Sequence, residues 1–192
     1  YSKYKNTLKI INNLIANTDI SSSNAKLSIE NGYYCPIIED NDKSFLIAKD
    51  IRHPIVEKIN EDTEYITNDI SLGKDKDGIL LFGTNACGKS TLMKAIGLNI
   101  IMAQAGLFVA SKEFRFKPYT QIFTRILNND NIFKAQSSFA VEIQELNGIL
   151  QKADQNSLIL GDELCSGTET ISAISIVATG IEYLCNIKSS FV

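Results

Sequence analysis

A chain of 192 residues with 44% hydrophobic and 21% charged residues has the make-up of a soluble globular protein with one good-sized core and room for a small appendage. Nothing in its formal net charge of -3 suggests the excess of Lys and Arg that dedicated nucleic-acid modules carry, so a nucleic-acid role would have to sit outside this segment. The 4 cysteines, Cys35, Cys87, Cys165 and Cys185, share no short metal-ligand spacing and have 1 histidine to assist them, so they read as reduced thiols of an intracellular protein.

In chain order, Tyr1-Ser2-Lys3-Tyr4 lacks both an initiator Met and an apolar signal core, as in a segment excised from a longer chain. Residues 4–16 place Leu8, Ile11 and Ile15 on one helical face, with Lys3, Lys5 and Lys9 as a solvated face. The polar run Asn17-Thr18-Asp19 and Ser21-Ser22-Ser23 predicts a break, then a second short helix over about 22–30 that stops at Asn31-Gly32. Phe45-Leu46-Ile47-Ala48 and the Ile55-Val56 region read as short strands. His53, between Arg52 and Pro54, reads as a structural hydrogen-bonding residue, and Tyr65 as either a core aromatic or a stacking surface.

Gly78-Ile79-Leu80-Leu81-Phe82 is expected to be a short buried strand, and Thr91 onward to about Ala105 a long apolar-periodic helix. Between them, Gly83-Thr84-Asn85-Ala86-Cys87-Gly88-Lys89-Ser90 satisfies GxxxxGK[ST]. In that setting backbone N–H groups of loop and helix converge on an anion and the helix dipole favours negative charge. Lys89 is expected to reach the β- and γ-phosphates of a nucleotide, and Ser90 to place its hydroxyl on Mg²⁺.

Strands are predicted at Phe114-Arg115-Phe116, at 121–125 and at 157–160, helices over 138–151 and 169–184, and a last strand from Ser189. No apolar run reaches membrane-spanning length, because Gly97, Asn99, Gln104 and Gly106 interrupt the stretch from Ala95 to Ala110. Strands alternating with helices fit an α/β domain with a largely parallel central sheet. The strand at 157–160 delivers Asp162 and Glu163 at its C-terminal end, where ligands bind in such sheets. Asp162 can accept a hydrogen bond from Ser90 or metal-bound water, while Glu163 can polarise the attacking water. The Ser166-Gly167-Thr168-Glu169 run fits a helix cap equally well as a loop sensing a second nucleotide across a dimer, and Ser137-Ser138 likewise supplies an N-cap.

The order of these blocks resembles the ATPase domain of the MutS family of DNA mismatch-repair proteins. Matching blocks are Arg52 to Glu57, Tyr65 to Ile70, Gly83 to Thr91, Met102 to Ala110, Ile122 to Ile126, Gln136 to Ile143 and Asp162 to Glu169. Gly161 through Gly167 looks most like the divergent branch of giant viruses and octocoral mitochondria. The resemblance implies a P-loop, ABC-type ATPase fold over 37–192, preceded over 1–36 by the end of a helical core/lever region. It implies ATP or ADP with Mg²⁺ as ligands, bound by Tyr65 against adenine and by Gly83, Thr84, Asn85, Ala86, Cys87, Gly88, Lys89, Ser90 and Thr91. Ser90 and Asp162 would hold the metal, Glu163 and Lys89 would be catalytic, and Ser137 would meet the γ-phosphate of a partner subunit.

A homo- or heterodimer of MutS-like subunits and mismatched double-stranded DNA, contacted by domains outside this segment, are the implied partners, with no membrane. Cys87 departs from the family's usual second glycine, Gly161 from a branched apolar residue and Ser166 from a frequent Arg. The segment also ends before the expected switch histidine and C-terminal helices. Other readings are an ATP-gated dimerisation or scaffold module with vestigial hydrolysis, or another ABC-type DNA-maintenance ATPase.

Overall fold

A computed structural model of the protein describes residues 4–59, 64–84, 87–125, 138–162 and 170–192. Its first element is one helix, α1 (Lys5–Asn31), where the sequence predicts two. No Gly or Pro lies within it, and polar side chains bond back onto the helix: Thr18 Oγ1 donates to Leu14 O (2.8 Å) and Ser28 Oγ to Asn24 O (2.6 Å). Residues that favour caps are therefore absorbed into the helix interior. The stop at Asn31-Gly32 holds, with Gly32 in the left-handed region at φ 59 and the Tyr33 N–H returning to Ser28 O.

Strands β1 (Ile37–Ile38) and β2 (Phe45–Ile51) follow. Next comes a turn and a short helix, α2 (Val56–Ile59), where Ile55-Val56 reads as a strand. Buried His53 explains the difference: its Nδ1 accepts the N–H groups of Ile55 (3.3 Å) and Val56 (3.2 Å), capping a helical turn. The remaining order is β3 (Asn68–Leu72), α3 (Lys89–Gln104), β4 (Glu113–Lys117), β5 (Gln121–Arg125), α4 (Ser138–Lys152), β6 (Ser157–Gly161), α5 (Thr170–Asn186) and β7 (Ser190–Phe191).

The architecture is mixed α/β, and the expected parallel sheet accounts for only part of it. A four-stranded sheet of order β1-β4-β2-β3 is mostly antiparallel, with β2 antiparallel to both β3 and β4 and only β1 parallel to β4. A three-stranded sheet, β5-β6-β7, is wholly parallel. Parallel neighbours need a crossover, and α4 and α5 supply one between successive strands of this second sheet. Residues 78–82 do not form the expected buried strand. Gly78 makes an isolated parallel bridge to Phe191, Ile79 N–H donates to Phe191 O (2.9 Å), and Leu80 and Phe82 are exposed. Gly78 is required there because a Cβ would fall 1.9 Å from the Phe191 ring.

Helix α3 lies between the sheets. Met93, Ile96, Ile100 and Ala103 share one core with Leu46, Leu72, Phe114 and Phe116 of the mixed sheet and with Leu158 and Leu160 of β6. The other face of β6 turns Ile159 toward Leu184, with Ile149, Leu150 and Ile181 of α4 and α5 packed beside it. Both faces of β6 are thus covered, which accounts for its unbroken apolar run. Asn99 is fully buried on α3, and its partners satisfy it: Nδ2 donates to Ala95 O (2.8 Å) and Arg52 O (3.0 Å), and Oδ1 accepts the Ala110 N–H (2.7 Å).

Candidate nucleotide site

The site forms where the start of α3 meets the end of β6. Gly97 lets them approach, since a Cβ there would fall 2.6 Å from Leu160 Cδ1. With the helix seated that closely, Ser90 Oγ on its first turn donates to Asp162 Oδ1 at 3.0 Å, across 72 residues of sequence. Gly88 precedes the helix in the left-handed region at φ 94, a conformation that favours glycine, and the first helical bond runs from Leu92 N–H to Gly88 O (2.9 Å). The α3 N-terminus has no side-chain cap among the described residues and no acidic residue in its first turn, so its leading amides remain available to an anion.

Lys89 folds back over the loop. Its Nζ donates to Gly83 O (2.7 Å) and Thr84 O (2.9 Å) and lies 3.9 Å from Cys87 Sγ. These acceptors are neutral carbonyls, so an arriving phosphate would offer the ammonium a stronger, charge-assisted partner. The thiol of Cys87 is exposed beside Lys89, and a Cβ on Gly83 would fall 2.9 Å from it. A cavity of about 250 Å³ opens here, with Lys89, Asp162 and Gly161 on its polar side and Ile79, Leu81 and Val177 on its apolar side.

The structure therefore brings together Gly83, Thr84, Cys87, Gly88, Lys89, Ser90 and Asp162, with Thr91 on the same helical turn. Asn85, Ala86, Ser137 and Glu163 lie outside the described residues. Tyr65 lines a different cavity, of about 400 Å³, with Arg52, Glu57, Thr67, Lys112 and Asp50. It is half-buried, and that burial raises its phenol above the ordinary value. In the same cavity Asp50 takes a strained φ of 49 at a bulge in β2, held by Thr67 Oγ1 (2.6 Å) and Lys112 Nζ (2.9 Å). Those two hydrogen-bonding partners pull its carboxyl below the usual range.

The family model for MutS domain V matches residues 79–192, the stretch that carries this whole constellation apart from Tyr65. The chain belongs to the MutS family. It is 43% identical over 196 residues to the mitochondrial DNA mismatch repair protein mutS homologue of Sarcophyton glaucum, covering 100% of this chain and 20% of that protein. A mimivirus mutS homologue from Acanthamoeba polyphaga mimivirus is 38% identical over 230 residues, again 100% of this chain and 20% of the relative. The DNA mismatch repair protein MutS of Clostridium tetani is 41% identical over 184 residues, 95% of this chain and 20% of its own length. The chain thus spans about a fifth of the length of these relatives. The resemblance to the mitochondrial and giant-virus branch stands.

Three residues that hold α3 and the strand ends in place in this MutS-family chain carry no role read from the sequence. Gly97 and Asn99 interrupt an apolar helix, a signal visible in the sequence but open to many explanations. Arg125 lies in a strand that matches the family, yet its partners Glu142 and Glu145 become apparent only once α4 is placed. No helix among the described residues is long and apolar enough to cross a membrane.

Proposed function

We propose that this chain is the ATP-binding and ATP-hydrolysing part of a MutS-like mismatch-repair protein. The observation that carries the reading is the 3.0 Å hydrogen bond from Ser90 to Asp162, made beside Lys89 at an open helix N-terminus. The fold class it implies is that of a P-loop, ABC-type ATPase. The loop from Gly83 to Gly88 and the first amides of α3 cradle the phosphates, with the Asn85 and Ala86 backbone part of the same loop. Lys89 leaves the Gly83 and Thr84 carbonyls for the β- and γ-phosphates, and Tyr65 stacks on adenine.

Ser90 and Asp162 are the residues that would hold Mg²⁺. They fit it as hard oxygen donors, which suits an ion that takes oxygen ligands and keeps several waters and phosphate oxygens. When bound, the ion neutralises charge on the phosphates. Glu163 polarises the attacking water as general base. Ser137, just before α4, reaches the γ-phosphate held by a second MutS-like subunit, so two chains complete each other's sites. Mismatched double-stranded DNA is engaged by other parts of an intracellular parent protein.

The test is Glu163→Gln in the full-length parent. ATP affinity should stay within about twofold while turnover drops on the order of a hundredfold or more. Undiminished turnover would defeat this assignment of the base.

A further inference from the structure

Arg125 is the last residue of β5, and it is bonded in two directions. Its main-chain O accepts the Asp162 N–H at 2.8 Å, which fixes the end of β5 against the residue that Ser90 contacts. Its side chain reaches the other way, to α4: Nε meets Glu145 Oε2 at 2.9 Å and an η nitrogen meets Glu142 Oε1 at 3.4 Å. The two carboxylates sit three residues apart, on one face of the helix. Glu142 is 8% exposed, and its second oxygen has no hydrogen-bond partner among the described residues. A carboxylate buried to that degree depends on its cation, so this fork is the polar attachment of α4 to the strand.

We propose that Arg125 is a positioning residue for ATP hydrolysis in trans, clamping α4 so that its N-terminal end is aimed at the nucleotide of a second copy of this chain. The inference rests on the reading above that Ser137 meets the partner's γ-phosphate. Glu142 and Glu145 lie on the second and third turns of α4, so the fork sets the direction of the first turn while touching no phosphate itself. One residue thereby joins the strand end that carries Asp162 of one site to the helix that completes the other. A planar guanidinium can hold two carboxylates in fixed directions, whereas an ammonium cannot. The Asp162 contact is to the main chain, so it survives any side-chain change and substitution interrogates the clamp alone.

The experiment uses full-length parent protein. Arg125→Lys in both subunits should lower turnover roughly tenfold to a hundredfold, the loss expected from a small misplacement remote from the reacting atoms. Affinity for a non-hydrolysable ATP analogue should stay within about twofold. The deciding measurement is made on mixed dimers, isolated through two different affinity tags, that pair an Arg125→Lys subunit with a Lys89→Ala subunit. One composite site then has an intact loop and an intact clamp, so turnover should recover to about half of wild type, because a two-fold dimer has two equivalent sites.

A Ser137→Ala subunit paired with Lys89→Ala is the companion. If that pair recovers and the Arg125 pair does not, Arg125 acts on its own subunit and the proposal is overturned while the trans reading stands. If neither recovers, both fall. Should Arg125→Lys fail to fold, Glu145→Ala removes the half-exposed outer arm of the fork and must show the same pattern.

Discussion

The two ends of β6 contrast sharply. At its start, polar groups are bound to one another: Ser157 Oγ donates to Asp154 Oδ1 (2.8 Å) and accepts the Asp154 N–H (2.9 Å), while the Asn156 N–H reaches Asp154 Oδ1 (2.8 Å). Asn156 Oδ1 in turn accepts the N–H of fully buried Ser44 (3.0 Å), tying the parallel sheet to the mixed one. Tyr119, buried close by, has a phenol pushed up to about 12 by desolvation, with the Ser190 hydroxyl 3.2 Å away opposing that shift. At the far end, Lys89 rests on loop carbonyls, Ser90 on a single carboxylate, and the leading amides of α3 lack a side-chain cap among the described residues. The lesson is thermodynamic: one end has its hydrogen bonds closed within the chain and supplies stability, while the other holds donors in exchangeable bonds that a phosphate can replace.

Substitutions should separate the two ends. The largest effect is expected from Lys89→Ala in the parent protein, which should cut ATP turnover on the order of a hundredfold or more, the scale for removing a preorganised charge at a transferring phosphoryl group. Amide exchange at the start of β6 should be unaltered. Asn156→Ala should do the reverse: it strands the buried Ser44 N–H, costs about 1–3 kcal/mol, and accelerates hydrogen exchange at Ser44 while leaving ATP affinity intact. If Asn156→Ala weakened nucleotide binding as much as Lys89→Ala, the division between the ends would be wrong.

The smallest effect concerns His53. Burial, assisted by the nearby Lys94 charge, holds its imidazole below the ordinary value of 6.5. As pH falls, the unfolded chain therefore binds the proton first, so this contribution to stability is complete above about 6.5 and is lost as pH falls from there through the lower value of the folded state. The melting temperature should drop between pH 7 and pH 5, and the drop should shrink in His53→Asn, which offers an acceptor that does not titrate. This histidine is the chain's only one, so the comparison isolates a single group.

Much of the candidate site is legible before any coordinates, because the Gly83 to Ser90 motif is a local object. The glycines, Lys89 and Ser90 lie within eight residues, and Asp162 is placed by the simple expectation that acids end a buried strand. What escapes is either long-range or a contest between local preferences. Asn17 to Ser23 look like a helix break, but bonds to the preceding turn win in a stretch without Gly or Pro. Gly78 to Phe82 look like a buried strand because they are apolar, yet only Gly78 and Ile79 bond to β7, and Leu80 and Phe82 face solvent. Ile55-Val56 look extended until the His53 ring is seen to accept their amides. Asn99 and Arg125 gain meaning only from partners that tertiary packing brings to them.

The central claim is that the start of α3 and the end of β6 share one nucleotide and its metal. A crystal structure of the parent protein with Mg²⁺ and a non-hydrolysable ATP analogue tests it most directly. The account predicts Lys89 Nζ moved from the Gly83 and Thr84 carbonyls onto phosphate oxygens, and the metal about 2.1 Å from Ser90 Oγ with Asp162 beside it. Phosphates bound away from the α3 N-terminus, or a metal remote from both Ser90 and Asp162, would contradict it.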